Sequence, residues 1–311
     1  MPHTLSISIV TPSYNQGEFI ERTINSVLSQ MIPSMEYIIV DGASSDNTLE
    51  VIKKYSNQLI LISEADQGQA HAVNKGLNMS KFDIIGWLNS DDIYYAGTID
   101  KVIEIFETNP EVDVIYGKAD FIDRNNKFMG ICPVEPWNLQ RLKTMCYLAQ
   151  PAVFFRRSVV EKHGGLDENL NYCMDYEYWL RLGLSGAKFK FIDTRLAASR
   201  LYLGTKTVGE HSKVQEEVLH MLGRYFSKIP DKWFISYAAA FANDEKNLRA
   251  PKLSFFMYVY YKALLVAVKQ NGITSGFFLS LKLPWIVFDA LGMKRLKNYL
   301  LAKNPLQLVK K

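Results

Sequence analysis

The sequence predicts an α/β protein: a mainly parallel sheet flanked by helices, followed by a C-terminal extension that is helical, basic and apolar. Three observations lead there. Short β-branched and aromatic runs alternate with amphipathic stretches from Ser6 to Leu88, the pattern of βαβ units. The loops after successive runs are all polar, as expected where strand ends meet a ligand. The overall charge of +4 is unevenly spread, because Arg249 to Lys311 holds eleven Lys and Arg against one acid, Asp289. At 311 residues, 48% hydrophobic and 22% charged, the chain can fill one sizeable α/β domain plus an appendage, and its composition is not that of a disordered protein.

Taken in order, Ser6–Val10, Tyr37–Val40, Leu59–Ser63 and Phe82–Leu88 read as strands. Glu18–Gln30, Asp46–Tyr55 and Gly68–Met79 read as the helices between them. Gln150–Arg156 reads as a further strand, Gly164–Asp167 as a turn, and the stretch from Cys173 through Leu182 as a helix. Trp179, Leu180, Leu182 and Leu184 would face inward, leaving Asp175 in the first turn toward a cleft. The expected organisation is an α/β domain over 1–225, in two parts (1–110 and 111–225), then a helical extension over 226–311. In that extension Leu253–Val268 and Gly276–Leu291 are apolar, but each is short and interrupted by Lys262, Lys282 or Pro284. They fit interfacial helices on an anionic membrane better than spans of about 20 residues. The plainer alternative is that they cover the main domain or form a dimer. Nucleic acid is not expected as a partner, since the positive charge accompanies apolar faces rather than a polar stripe.

Cys132, Cys146 and Cys173 lack metal-ligand spacing and read as free thiols in a reducing compartment. The N-terminus has no basic region followed by an apolar stretch. A cytoplasmic protein, peripheral on the inner face of the plasma membrane, is the resulting expectation.

The loops carry the chemistry. Neither G-x-G-x-x-G nor G-x-x-x-x-G-K-[ST] follows the first strands, so the common NAD and ATP cradles are not supported. Tyr14 offers a flat face for a base. Asp41, after Val40, can accept hydrogen bonds from a base edge or a ribose, or simply form an Asx turn with Gly42. Asp46 before Asn47-Thr48 reads as a helix cap. The run Trp87-Leu88-Asn89-Ser90-Asp91-Asp92 leaves an apolar strand with adjacent carboxylates at its C-terminal edge. That suits a hard divalent cation, Mn²⁺ or Mg²⁺, which takes one or two carboxylates and fills its shell with water and substrate phosphates. A solvated, helix-capping turn is the alternative.

Four segments in order, Val10-Thr11-Pro12-Ser13-Tyr14-Asn15, Val40-Asp41-Gly42-Ala43-Ser44-Ser45-Asp46-Asn47-Thr48, Asn74-Lys75-Gly76 and Leu88-Asn89-Ser90-Asp91-Asp92, together resemble the family 2 glycosyltransferases of the GT-A fold. The resemblance implies an inverting transfer of a sugar from a nucleoside-diphosphate sugar, UDP-sugar favoured, to a hydroxyl of a glycan or lipid-linked acceptor in bacterial surface-polysaccharide synthesis. It makes 1–225 a catalytic domain, with 1–110 the nucleotide-sugar-binding part and 111–225 the part for the acceptor and base, and places Pro12, Tyr14, Asn15, Asp41, Asn74, Lys75, Asn89 and Asp92 on the donor side. It makes Asp91 the metal ligand, with Asp92 as the alternative or second contact, in a variant D-x-D motif whose first acid is replaced by Asn89, a residue that would orient the sugar or ribose. Asp175 matches the family's catalytic base, although Met174 stands where a Glu is usual, and Glu177 is its nearest rival. Arg200 and Lys206 match cations facing the diphosphate; Tyr202 replaces a His that relatives often place there, so no His ligand carries over. His211 reads as solvated and His71 as packed. A sugar nucleotidyltransferase and a noncatalytic nucleotide-binding module are the alternatives. The first would usually carry a Gly-rich, basic N-terminal loop, which Thr11–Asn15 is not.

Overall fold

The computed structural model describes residues 4–202, 205, 210–244 and 252–273, the side chains of 242–244 and 252–257 excepted. Lys206 and the predicted helix Gly276–Leu291 lie outside the described residues. The chain divides into two compact units, Met1–Val208 and Gly209–Lys311.

The first unit is built on a nine-stranded sheet. Its first part follows the alternation of the sequence: β1 (Ile7–Ser13), α1 (Ile20–Leu28), β2 (Met35–Asp41), α2 (Thr48–Lys53), β3 (Ile60–Ser63), α3 (Gln69–Met79) and β4 (Ile84–Trp87). These strands lie in the order β3, β2, β1, β4, all parallel, so their C-terminal loops share one edge. β1 is buried at every position. It has helices on both faces and so reads as a continuous run rather than an alternating one. Two of its polar residues find partners within the sheet: Ser8 donates to Glu36 at 2.6 Å, and Thr11 accepts from the Tyr37 hydroxyl at 3.2 Å, while the buried Ser13 hydroxyl has no partner among the described residues. α3 approaches β1 so closely that a Cβ on Gly76 would lie 2.2 Å from Val10 Cγ1, so any larger residue would require Val10 or the helix to shift.

Beyond β4 come β5 (Ile93–Tyr94), α4 (Thr98–Thr108), β6 (Val114–Ile122), β7 (Phe128–Ile131), α5 (Leu139–Leu142), a 3₁₀ turn (Gln150–Ala152), β8 (Val153–Arg156), α6 (Arg157–His163), α7 (Met174–Leu184) and β9 (Phe189–Arg200). β8 pairs antiparallel with β4 and with β6, β9 lies parallel to β6, and β5 pairs antiparallel with β9. The pairing Ile93↔Ala198 ties the loop Leu88–Asp92 to the end of β9, bringing two distant parts of the chain to the same sheet edge. Ile9, Ile39, Ile84, Ile103, Phe106, Phe154 and Leu196 form the main core. On α7, Trp179, Leu180 and Leu182 are fully buried as predicted, whereas Leu184 is 41% exposed. Leu184 is the last residue of the helix and has turned past the packed face.

The second unit contains α8 (His211–Tyr225), α9 (Asp231–Asp244) and α10 (Lys252–Asn271). α8 therefore groups with the C-terminal helices. Leu222, Phe234, Ala238, Ala263 and Ala267 are buried in this unit. The Asn271 side chain clamps the turn before α9, donating to Ile229 O at 2.8 Å and accepting from Ile229 N at 2.9 Å. Among the described residues no helix is long and apolar enough to cross a membrane.

Candidate functional site

A cavity of about 1060 Å³ opens at the shared strand edge of the first unit. Pro12 and Tyr14 after β1, Gly42 and Ala43 after β2, Asp66 and Gln69 around the start of α3, and Asn89 to Asp92 after β4 line one side. Cys132, Cys146, Leu148, Gln150 and Asp175 line the other, with Arg200 at the end of β9 and Tyr202 just beyond it. Tyr14 is 61% exposed and presents an open ring at this edge.

The acidic loop is held rigidly. On α1, the buried Thr23 hydroxyl faces both Ser90 O (2.9 Å) and Asp92 O (2.7 Å). Arg200 is itself buried and braces the loop from the other side. Its N–H donates to Asp92 Oδ1 at 2.8 Å, its Nε to Asp91 O at 2.7 Å and its Nη1 to Asp123 O at 2.6 Å, while its guanidinium lies 4.9 Å from the Phe19 ring centre. Nη2 has no partner among the described residues. Asp91 points into the cavity, where Tyr202 donates to its Oδ2 at 3.3 Å. Burial raises the pKa of Asp91, opposed by the Tyr202 hydroxyl and the Arg200 charge. Asp92 is raised well above the usual range by burial and then by the charge of Asp91 beside it. Two crowded carboxylates of this kind gain from a cation that offsets their mutual repulsion. Among the described residues no group of three His, Cys, Asp or Glu side chains is placed to cage a metal. The residues on this loop that could hold a hard cation are Asp91 and Asp92, with water and phosphate oxygens to complete its shell.

Asp175 is the second residue of α7 and faces the same cavity. Its Oδ1 accepts from the Tyr176 N–H at 2.8 Å, and burial pushes its pKa up to about 6. A carboxylate with that value holds its proton part of the time near neutrality, which suits it to proton exchange. Glu177 is placed differently: it is buried, paired with Arg181 at 2.9 Å, and Arg181 in turn donates to the carbonyls of His163 and Gly165. Cys146 lies near Asp175, and burial followed by that negative charge pushes its thiol up, away from reactivity.

The sequence model of glycosyl transferase family 2 matches residues 8–164, which spans every parallel strand of the first part, Asp91 and Gln150. The chain belongs to this family. It is 28% identical over 228 residues to an uncharacterized glycosyltransferase of Rickettsia conorii, covering 68% of this chain and 37% of that protein. It is 29% identical over 171 residues to one from a Nostoc strain, covering 51% and 53%. The matched part of this chain thus spans about half or less of the length of these relatives. Among solved structures, S. aureus TarS in complex with UDP-GlcNAc aligns with a TM-score of 0.63 at 16% identity, covering 89% of this chain and 91% of that one. A Pyrobaculum calidifontis mannosyltransferase in complex with GDP-Man and Mn²⁺ aligns at 0.52 and 16%, covering 97% and 89%. These likenesses show a shared GT-A-like fold.

Within this family 2 chain, the residues singled out from sequence fall into two groups. Pro12, Tyr14, Asn89, Asp91, Asp92, Arg200 and Asp175 all line one cavity. Asn15, Asp41, Asn74 and Lys75 stand behind it. Asn15, at φ 51°, accepts from Ser45 N and receives support from Ser44, clipping the first loop to the second. Asp41 is buried and accepts from Ser44 N and Ser63 Oγ, each at 2.9 Å. Asn74 exchanges hydrogen bonds with Leu166, donating at 2.9 Å and accepting at 2.8 Å, and Lys75 pairs with Glu64 at 2.8 Å. With Gly76 against Val10, the Asn-Lys-Gly segment thus joins α3 to β1, to the loop after β3 and to the turn after α6. Asp46 accepts from the Thr48 N–H at the start of α2 and from Gly17, close to the capping role expected. His71 accepts from Gln67 N at 3.1 Å, and His211 is exposed. Sequence reasoning missed Gln69 and Gln150 as cavity residues; Gln69 follows a loop already identified, but nothing local marks Gln150 except its place before a strand.

Proposed function

We propose that this chain transfers a sugar from a nucleoside-diphosphate sugar to an acceptor hydroxyl, with inversion. The observation that carries the reading is that Asp91 and Asp175, on different elements, line one cavity large enough for a nucleotide sugar and part of an acceptor. The TarS and mannosyltransferase complexes with UDP-GlcNAc and GDP-Man support a nucleotide-sugar donor. Asp91, with Asp92 behind it, would hold a divalent cation such as Mn²⁺ or Mg²⁺. When bound, that cation would stabilise the negative charge growing on the leaving diphosphate. Tyr14 packs against the base, and the Arg200 guanidinium, which braces the Asp91–Asp92 loop, adds positive charge beside the phosphates. Asp175 removes the proton from the acceptor hydroxyl as its oxygen attacks the anomeric carbon from the face opposite the leaving group. A single displacement of this kind needs no second carboxylate as covalent nucleophile.

The acceptor side is lined by Cys132, Cys146, Leu148 and Met174, an apolar wall that suits a lipid-linked or otherwise partly apolar glycan. The basic tail would hold the protein on the inner face of an anionic membrane. Recovery of the full chain with anionic liposomes at low salt and its release at high salt is the expected result, and indifference to such liposomes would remove this part. The central experiment incubates the protein with Mn²⁺ and a panel of UDP-, GDP- and dTDP-sugars and follows nucleoside-diphosphate release. Slow release from one donor is expected even without acceptor. Formation of pyrophosphate from a sugar phosphate and a nucleoside triphosphate would point instead to a nucleotidyltransferase.

A further inference from the structure

The side chain at position 89 takes part in a closed ring of hydrogen bonds whose direction is fixed by one residue, Trp87. The indole Nε1–H of Trp87 donates to Asn89 Oδ1 at 2.9 Å, Asn89 Nδ2 donates to Gln150 Oε1 at 2.9 Å, and Gln150 Nε2 donates back to the Trp87 carbonyl at 2.7 Å. An indole N–H can only donate and a carbonyl can only accept. Both amides are therefore locked in orientation: the Asn89 oxygen must face the indole, the Gln150 nitrogen must face the carbonyl, and the remaining atoms meet as donor and acceptor. Gln69, at the start of α3, donates a second bond to Asn89 Oδ1 at 2.9 Å. Both lone pairs of that oxygen are then used. What Asn89 has left for the cavity is one hydrogen on Nδ2.

We infer that Asn89 serves the site as a hydrogen-bond donor to a ligand oxygen and not as a ligand to the cation, and that Gln150 is the positioning residue that requires an amide there. This rests on the nucleotide-sugar reading above and deepens it: the ligand atom opposite Asn89 must be an acceptor, a sugar hydroxyl oxygen or a phosphate oxygen. A carboxylate at 89 has nearly the same shape but no hydrogen. It would set its second oxygen against Gln150 Oε1; rotating Gln150 to relieve that contact would set Oε1 against the Trp87 carbonyl. Either way two acceptors meet in a part of the site where Trp87 is 2% exposed, and an unmatched acceptor is costly there. The departure from the acidic residue of a D-x-D motif is thus written into the opposite wall of the cavity, more than sixty positions along the chain. It is not a loss that the site merely tolerates.

The test is a double-mutant cycle on the full chain, Asn89→Asp, Gln150→Leu and both together. It is read as thermal unfolding and as calorimetric affinity in Mn²⁺ for UDP and for UDP-GlcNAc, with GDP, dTDP and their sugars as alternative probes. Asn89→Asp is expected to lower Tm and to weaken nucleotide binding by about tenfold or more. Its penalty should shrink severalfold in the Gln150→Leu background, where no acceptor faces the new carboxylate. Strictly additive penalties overturn the ring, and an Asn89→Asp protein that in Mn²⁺ binds the nucleoside diphosphate and the nucleotide sugar both as tightly as the parent, or more tightly, overturns the donor role. If the parent binds no nucleoside diphosphate at all, the nucleotide-sugar reading fails. The thermal cycle then decides the ring by itself.

Discussion

The two carboxylate centres of the cavity make a useful contrast. Asp91 and Asp92 sit side by side on a loop held by Thr23, Arg200 and the β5 to β9 pairing, with a hydroxyl and a guanidinium nearby. Asp175 stands at the start of a helix with main-chain N–H groups, those of Tyr176 and of Asp175 itself, as the hydrogen-bond partners of its carboxylate. Burial raises the pKa at both centres, but the neighbours differ. On the function proposed above, the paired acids would share charge with a bound cation and the isolated acid would exchange a proton. The same physical cause, desolvation, would then serve charge binding in one place and proton transfer in the other, and partners would decide which.

If the contrast holds, its largest consequence is kinetic. Asp175→Asn keeps the shape of the side chain and its contact with Tyr176 but cannot take a proton, so sugar transfer should fall by about 10²-fold or more. In the parent the rate should climb as pH rises through about 6 and level above it, because Asp175 is useful only when ionised. Retained transfer in the Asn variant, or a rate with no acid limb near that pH, would dissolve the distinction between the centres.

The next effect is on stability, and it runs the other way. An acid whose folded pKa is raised binds its proton more tightly when folded, so the folded state loses stability as pH climbs from the unfolded value near 4 to the folded value near 6, and the cost stays above it. Asp175→Asn removes that cost. Thermal and urea unfolding should show the variant more stable at pH 7.5 by on the order of 2 kcal/mol, with the gap closing at and below about pH 4. An inactive variant that is more stable at pH 7.5 sharpens the assignment of Asp175 to function; an unstable one would make it a structural cap.

The smallest effect expected is at Tyr202. Its single bond to Asp91, at 3.3 Å, is long for a hydroxyl donor. Tyr202→Phe should weaken Mn²⁺-dependent UDP binding only about threefold, with the larger loss at lower pH where Asp91 more readily protonates. A loss as large as that of an Asp91 variant would promote Tyr202 from neighbour to principal contact.

Much of the fold and half of the site are legible in the sequence, and the reasons are local. The four parallel strands are short apolar runs between amphipathic helices, and periodicity alone marks them. Asp91 and Asp175 each follow a recognisable local pattern, an acidic strand end and a helix start. What periodicity cannot show is which side chains of a motif reach the cavity. Asn74 and Lys75 belong to a segment shared with the family, yet the turn after α6 and Glu64 occupy them. Asp41 is turned onto Ser44 and Ser63. Gln150 and the brace made by Arg200 depend on contacts between residues far apart in sequence, and a single sequence carries no signal for such pairs.

The division of labour between the two centres is tested most directly by measuring UDP affinity calorimetrically, with and without Mn²⁺, for Asp91→Ala and Asp175→Asn side by side with the parent. The account predicts that Asp91→Ala loses the Mn²⁺-dependent part of the affinity while Asp175→Asn keeps it nearly whole. Equal losses in both variants, or a loss confined to Asp175→Asn, would contradict it.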